Sequence, residues 1–526
     1  MIPTSAIKEF LEQPRDDHRW LKNLTHKQVD EVVAALQPVP KLHPLLHVHQ
    51  KVCICLGVAY PQFGFWLDMG CGKSLIALEL LRYWWECGRL NRAVVLVKND
   101  KAFPTWKAQM KRWGIDIPYV MLGNSSSEEK WAQLEGFKEG IIFLAYPGAT
   151  ALCSSKVKNS KGENRMALDP KKVERFAGGL DALVMDESTV AGHKDSLTSK
   201  LCTKLRQRAQ FCYALAGRPF GRDPTLLWSQ YYILDGGETF GETLGLFRAA
   251  FFNEEDNPYT SNEYSKTYTF KAKMKDKMMR IAQHRSIAYA ESECIEVPDW
   301  PDPIIEEVSL PEEAQAYQKH IVEEVIAARG NLRAMDNAFL RMRQLSSGFL
   351  GFKNEETDKR VEIEFAENPK LDLLLGLLDE VPQDRKAVCF YDYTFSGRKI
   401  YEALKAAGRK PIWLWSGTKD SMGEQKRFQE DPDCDVAIIN NKVGAYSIDG
   451  LQVANYVFFY ESPVSVLDRT QAEKRVKRQG QLHKVFQYDL CVKGTFDRRI
   501  LDFHKDGADL LAALRHNPAE FLKNLD

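Results

Sequence analysis

The sequence predicts an α/β protein made of two open parallel sheets, and three observations carry that prediction. Strand-like apolar runs alternate with helix-like segments twice along the chain, as a parallel sheet covered by helices requires. A proline-rich stretch at 297–311, VPDWPDPIIEEVSLP, divides the two series. The first series opens on FGFWLDMGCGKSLIALELL, residues 63–81, which reads as strand, glycine-bearing turn and helix in direct succession.

Length and composition set the bounds. A chain of 526 residues exceeds one ordinary core and predicts two to four domains. With 44% hydrophobic and 27% charged residues it has the make-up of a globular protein rather than a disordered or fibrous one. Seventy-two basic residues balance seventy-two acidic ones, so no overall basic field announces nucleic acid, and any grip on a phosphate backbone must be local. The first twenty residues lack a signal-peptide core, and no stretch reaches the roughly 18 apolar residues of a spanning helix. A cytoplasmic chain that does not touch membranes is expected. The eleven cysteines are scattered without paired CxxC spacing, as reduced thiols would be, and Cys53 and Cys55 read as packing residues.

In chain order, residues 1–40 read as a helical lead-in ending in Gln37-Pro38-Val39-Pro40. His43, His47 and His49 come next; without a further soft ligand at a suitable interval, zinc is the lesser reading of them. Buried strands are predicted at 93–99, 140–146, 181–187 and 211–217, with the polar segment at 154–165 an exposed loop between them. The basic run KAKMKDKMMRIAQHR, 271–285, reads as the solvated face of a helix. Helical periodicity spans 312–346, and a second strand series begins near Lys386 with AVCFYDY, PIWLWSG, DVAIIN, NYVFFY and VFQYDL. Trp84, Trp85, Trp413 and Trp415 could stack on bases, but each lies in an apolar periodic segment and reads first as core.

Three places carry chemistry. Gly70 and Gly72 let backbone N–H groups approach phosphate oxygens, Lys73 can reach the terminal phosphates, and the Ser74 hydroxyl can ligate magnesium. A plain glycine turn before a helix is the competing reading. Asp186-Glu187 ends an apolar run: the first carboxylate can hold magnesium, and the second can orient or deprotonate an attacking water. In QAEKRVKRQGQ, 471–481, Arg475 and Arg478 are three apart, so on one helix they would project from one face and could meet one γ-phosphate together. Lys474 and Lys477 beside them read as a solvated or nucleic-acid-touching basic face.

At these places the chain resembles the Swi/Snf-type branch of the superfamily 2 helicases and translocases, in a compact, phage-like form. HPLLHVHQ is similar to the adenine-reading glutamine motif, which points to Gln50; DMGCGKS is similar to the phosphate loop and adds Cys71 to the nucleotide-contacting residues. LVKNDKAFPTWKAQMKRW, with Trp106 and Trp113, Tyr146, DEST with Lys194, LAGRPFGRDPTLLWSQ, RMRQLSSG, the stretch 440–461 and QAEKRVKRQGQ continue the family's motif order. The resemblance implies two RecA-like lobes with helical insertions, at 41–300 and 301–512, between the lead-in and a tail at 513–526. It implies ATP and Mg²⁺ as cofactors, Lys73, Glu187, Arg475 and Arg478 in catalysis, and Ser74 and Asp186 at the metal. It also implies a monomeric motor, DNA before RNA as its track, replication or recombination proteins as further partners, and a bacterial or phage-infected cell. Strand separation or annealing at forks, junctions or on RNA is the alternative activity; a nucleotide-gated DNA scaffold without productive cycling is the alternative class.

The chain departs from the pattern at Ala216 and Arg218, where the coupling motif usually has hydroxyls, at Ser188-Thr189 after the acidic pair, and at Ser447 and Asp449 in the fifth motif. Those departures bear on how hydrolysis would be linked to movement. They leave the residues needed for hydrolysis in place.

Overall fold

The computed structural model describes residues 19–506 except 37, 159–161, 218, 220–222, 257–265, 295–299, 328–331, 354–359, 449 and 479. The chain divides into two compact units, Met1–Glu296 and Val297–Asp526. The tail expected at 513–526 and the first part of the lead-in lie outside the described residues; the rest of the lead-in holds the short helix Arg19–Asn23 and the helix His26–Ala35.

The first unit is built on a seven-stranded sheet. In spatial order its strands are Ser286–Tyr289, Gln62–Leu67, Phe211–Ala216, Ala182–Asp186, Arg92–Val97, Gly140–Ala145 and Tyr119–Leu122, each pair parallel. The pleat explains why these strands read as unbroken apolar runs. Phe63, Phe65 and Leu67 join one core and Trp66 the other; Ala93, Val95 and Val97 join the first and Val94 and Leu96 the second. Alternate side chains thus feed two cores on the two faces, and neither face is left for water.

The second unit repeats this plan with six parallel strands, in the order Ile304–Val308, Phe486–Val492, Tyr456–Phe459, Ala387–Tyr391, Val436–Asn440 and Ile412–Leu414. Again Val388 and Phe390 serve one core while Ala387, Cys389 and Tyr391 serve the other. The two sheets with their covering helices are the α/β architecture that the alternating pattern predicts, and they fit the two RecA-like lobes that the resemblance implies.

The structure departs from the sequence reading at places where strands are short or exposed. The predicted loop at 154–165 lies within an antiparallel hairpin, Ser154–Lys158 with Asn164–Leu168, whose backbone bonds are made without an apolar face to announce them. The proline-rich linker contains the edge strand Ile304–Val308, paired on one side only. The basic run is the helix Lys275–Ala282, with Met278 and Ala282 buried and its lysines exposed. The eleven cysteines are all free thiols, and among the described residues no helix is long and apolar enough to cross a membrane.

Candidate active site

The site in the first unit sits at the carboxyl ends of the central strands, where open parallel sheets present their loops. Strand Gln62–Leu67 runs into the turn Asp68–Gly72, and the helix Lys73–Glu86 starts at once. Gly70 and Gly72 take φ of +88° and +83°, a backbone that side chains rarely adopt. At Gly72 a Cβ would also run into the Gln50 side-chain amide. Gly72 is the cap of the helix and offers no side-chain acceptor to its first N–H groups, so those donors face the position an anion would take. The Lys73 ammonium donates to the carbonyls of Leu67 at 2.9 Å and Asp68 at 3.4 Å, which holds it across the turn.

The helix Val48–Ala59 braces this turn. His49 Nε2 lies 2.9 Å from the Cys71 carbonyl, and Gln50 donates its amide to the same oxygen at 3.4 Å. Burial pushes the His49 pKa down, so the ring is neutral and donates Nε2–H to that carbonyl. Gln50 Oε1 accepts from His47 N at 3.0 Å and caps its own helix. The predicted adenine reader therefore stands against the phosphate loop with both ends of its amide engaged. The role of His49 as a loop brace is invisible in the sequence: a histidine in a His-rich stretch gives no sign of which carbonyl it will meet. His43 stands edge-on to Trp113 at 4.9 Å, so two of the three histidines are used locally.

Asp186 closes strand Ala182–Asp186, two strands away from Gln62–Leu67. Trp106 donates its indole N–H to Asp186 Oδ2 at 3.2 Å. Burial pushes the Asp186 pKa up to about 6, the neighbouring Glu187 charge adds to this, and Lys73 opposes it. Glu187 has φ 50° and ψ 53°, and among the described residues it is the one non-glycine at positive φ. Tyr146 is buried next to this pair, and its hydroxyl has no hydrogen-bond partner among the described residues.

The residues fit a hard dication. Ser74 and Asp186 offer a hydroxyl and a carboxylate, oxygen donors of the type magnesium takes. Among the described residues no group of three or more His, Cys, Asp or Glu could hold a metal by itself. A magnesium here would keep water or phosphate in most of its positions, its usual state in phosphate-loop sites.

Ala216 is fully buried and brings no hydroxyl. Ser188 donates its hydroxyl to Gln230 Oε1 at 2.7 Å. Gln230 in turn donates to the carbonyls of Pro219 and, at 3.0 Å, Leu226. The hydrolysis motif is thereby bonded to the loop after strand Phe211–Ala216, although Arg218 itself lies outside the described residues.

The second unit carries the arginine motif. The helix Val466–Val476 includes Arg475 in its last turn but ends before Arg478, so the two do not share a helix face as predicted. Lys477 leaves the helical region at φ −82° and ψ 76°, and Gly480 at φ +95° completes a turn that spacing alone could not reveal. Both arginines are half-buried. The residue that anchors this helix is Arg469, which no motif or spacing marks. It forms a two-pronged pair with Asp489 at 2.6 and 2.8 Å, donates to Glu473 at 2.5 Å and Ser462 at 2.9 Å, and lies 3.5 Å over Phe459. Nearby, Arg343 of RMRQLSSG pairs with Asp392 at 2.6 Å, which accepts from Asn441 at 2.8 Å. Glu461 takes the N–H groups of Asp392 and Tyr393. The fifth-motif residue Asp449 lies outside the described residues.

No family model matches the chain. DNA repair protein RAD5 of Cryptococcus neoformans var. neoformans serotype D is 25% identical over 205 residues, 36% of this chain and 17% of its own length. Chromatin-remodeling ATPase INO80 of Kluyveromyces lactis is 26% identical over 162 residues, 30% of this chain and 11% of its own. TATA-binding protein-associated factor MOT1 of Saccharomyces cerevisiae is 28% identical over 113 residues, 21% of this chain and 6% of its own. The matched stretches thus span less than a fifth of each relative. Among solved structures, the SWI2/SNF2 ATPase core of Sulfolobus solfataricus in complex with dsDNA covers 92% of this chain and 98% of that one at 17% identity and a TM-score of 0.39. The ATPase core domain from the same organism covers 93% and 96% at 18% identity and 0.38. At such TM-scores neither likeness carries weight of its own. With its motifs in order from residue 43 to residue 481, and with these sequence relatives, the chain resembles the Swi/Snf-type branch of the superfamily 2 helicases and translocases.

Proposed function

We propose that the chain is an ATP-hydrolysing motor that moves along nucleic acid, with duplex DNA as its track. The observation that supports this best is the group at the carboxyl ends of the first sheet. An uncapped helix start, two left-handed glycines and Lys73 lie at the end of one strand, and Asp186 and Glu187 at the end of another in the same sheet. Bound magnesium would supply charge neutralisation at the phosphates. Ser74 and Asp186 would hold that ion, while the first N–H groups of the helix and the Lys73 ammonium bind phosphate oxygens. Glu187 would orient the attacking water and take its proton. Arg475 and Arg478 would place guanidinium groups on the γ-phosphate from the second unit, where their fixed charge suits a phosphoryl group whose negative charge is in transit. Gln50 would read the base.

DNA as the track is supported by the sequence relatives, one a DNA repair protein and one a chromatin-remodeling ATPase. The chain matches only part of each curated relative, so its role in a cell is not carried over from them. A scaffold that binds nucleotide without cycling is the second reading, and the buried Ala216 in the coupling motif favours it. One assay separates the two. ATP turnover measured with single-stranded, duplex and forked DNA and with RNA should rise most with duplex DNA and vanish in Lys73→Ala. A scaffold would show no stimulation by any of them.

A further inference from the structure

The phosphate loop is tied to a segment far along the chain. Asp68 N donates to the Tyr289 carbonyl at 3.0 Å, and Glu291 N donates to Asp68 Oδ2 at 3.2 Å. A Cβ on Gly70 would stand 3.6 Å from Glu291 Oε1. The turn Glu291–Cys294 therefore lies against the loop, and its last residue brings a second thiol beside the Cys71 thiol. Both side chains belong to the same apolar cluster, Cys71 buried at 1% exposure and Cys294 half-buried at its edge. The neighbouring Cys294 holds the Cys71 thiol below its ordinary range, with burial opposing and Lys73 reinforcing this, while Cys71 and burial push the Cys294 thiol well up.

We propose that Cys71 and Cys294 are a peroxide-sensitive dithiol whose disulfide fastens the phosphate loop to the turn Glu291–Cys294 and shuts nucleotide out. One sulfur attacks the O–O bond of a hydroperoxide, keeps one oxygen as a sulfenic acid and releases the first water when hydrogen peroxide is the oxidant. The other sulfur attacks that sulfenic sulfur, the S–O bond breaks, and the second water leaves. The two thiols lose two electrons and two protons, and the peroxide takes up both. A disulfide sets its two Cα atoms about 4.4–6.8 Å apart, which ties the loop backbone on which phosphate binding depends. The effect on nucleotide rests on the proposed function; formation of the bond does not.

The test treats the full chain with hydrogen peroxide, alkylates the remaining thiols, and reads the digest by mass spectrometry beside binding of a fluorescent ATP analogue. The expected result is a Cys71–Cys294 peptide pair lighter by two hydrogens than the reduced peptides, with analogue affinity falling about tenfold or more. Dithiothreitol should reverse both, and Cys294→Ser should bind the analogue equally before and after peroxide. Recovery of both cysteines alkylated, or a bond to Cys53 instead, would overturn the dithiol. A linked pair with undiminished binding would overturn the lock. A linked pair in a chain that never binds the analogue would leave the dithiol standing and count against the proposed function alone.

Discussion

Glu187 joins chemistry to strain more closely than any other described residue. Its left-handed backbone costs a side-chain-bearing residue about 1 kcal/mol, and its carboxylate adds to the cost of ionising Asp186 beside it. Glu187→Gly should therefore raise the stability of the chain by about 1 kcal/mol in urea denaturation while abolishing turnover. Glu187→Gln should keep nucleotide binding and slow hydrolysis by roughly 10²–10⁴-fold, the usual worth of a positioned base; undiminished turnover would remove Glu187 from that role. The acidic pair was legible in the sequence because it ends an apolar run. The left-handed turn was not, since nothing in Asp-Glu-Ser-Thr specifies a positive φ. Glu79, on the helix after the loop, shows the same limit. Its place in KSLIALELLRYWWE looks like one charge on an amphipathic helix, yet it is buried at 1% exposure, paired with Arg82, and burial pushes its pKa up to about 7. The folded state thus keeps a proton that the unfolded chain gives up in the ordinary carboxylate range, and stability is lost as pH rises from there through about 7. Glu79→Gln should remove that dependence. The variant is expected to match the parent chain near pH 4 and to exceed it by about 1–3 kcal/mol at pH 8.

Among the elements, the phosphate loop and its helix were readable because glycine, lysine and serine spacing dictates them. The bracing was not, because His49 and Trp106 reach the site from other elements through contacts that no periodicity encodes. The same holds for the link from Ser188 through Gln230 to Pro219. Removing the hydroxyl leaves a buried carboxamide oxygen without its donor, so Ser188→Ala should cost about 1–3 kcal/mol. Gln230→Leu should cost less when combined with Ser188→Ala than when made alone, and full additivity in a double-mutant cycle would show that the two do not act as a pair. In the second unit the arginine motif was found by spacing and resemblance, but its helix stops at Val476, because Lys477 leaves the helical region where the spacing predicted one continuous face. The helix depends on Arg469. Arg469→Met would strand Asp489, buried at 3% exposure, without its counter-charge, and a loss of about 3–5 kcal/mol is expected for this unit in chemical denaturation.

For the molecule as a whole, two parallel sheets were legible because both faces of each are covered, which turns strands into continuous apolar runs. Edge strands such as Ile304–Val308 and Ser286–Tyr289 escaped because they are short and paired on one side. In the proposed function the labour is divided between the units: the first would hold phosphate, metal and water, and the second would supply arginine. The two halves of the chemistry are then separable by mutation. Arg478→Ala should leave binding of an ATP analogue nearly unchanged and lower turnover by orders of magnitude, as loss of an arginine finger does, whereas Lys73→Ala should weaken binding itself. The most direct test is the steady-state ATPase rate of the parent chain and of Arg478→Ala, each with and without duplex DNA. Hydrolysis should rise several-fold with duplex DNA in the parent and stay near background in Arg478→Ala. Equal rates in the two chains, or a parent rate indifferent to DNA, would contradict the proposed function.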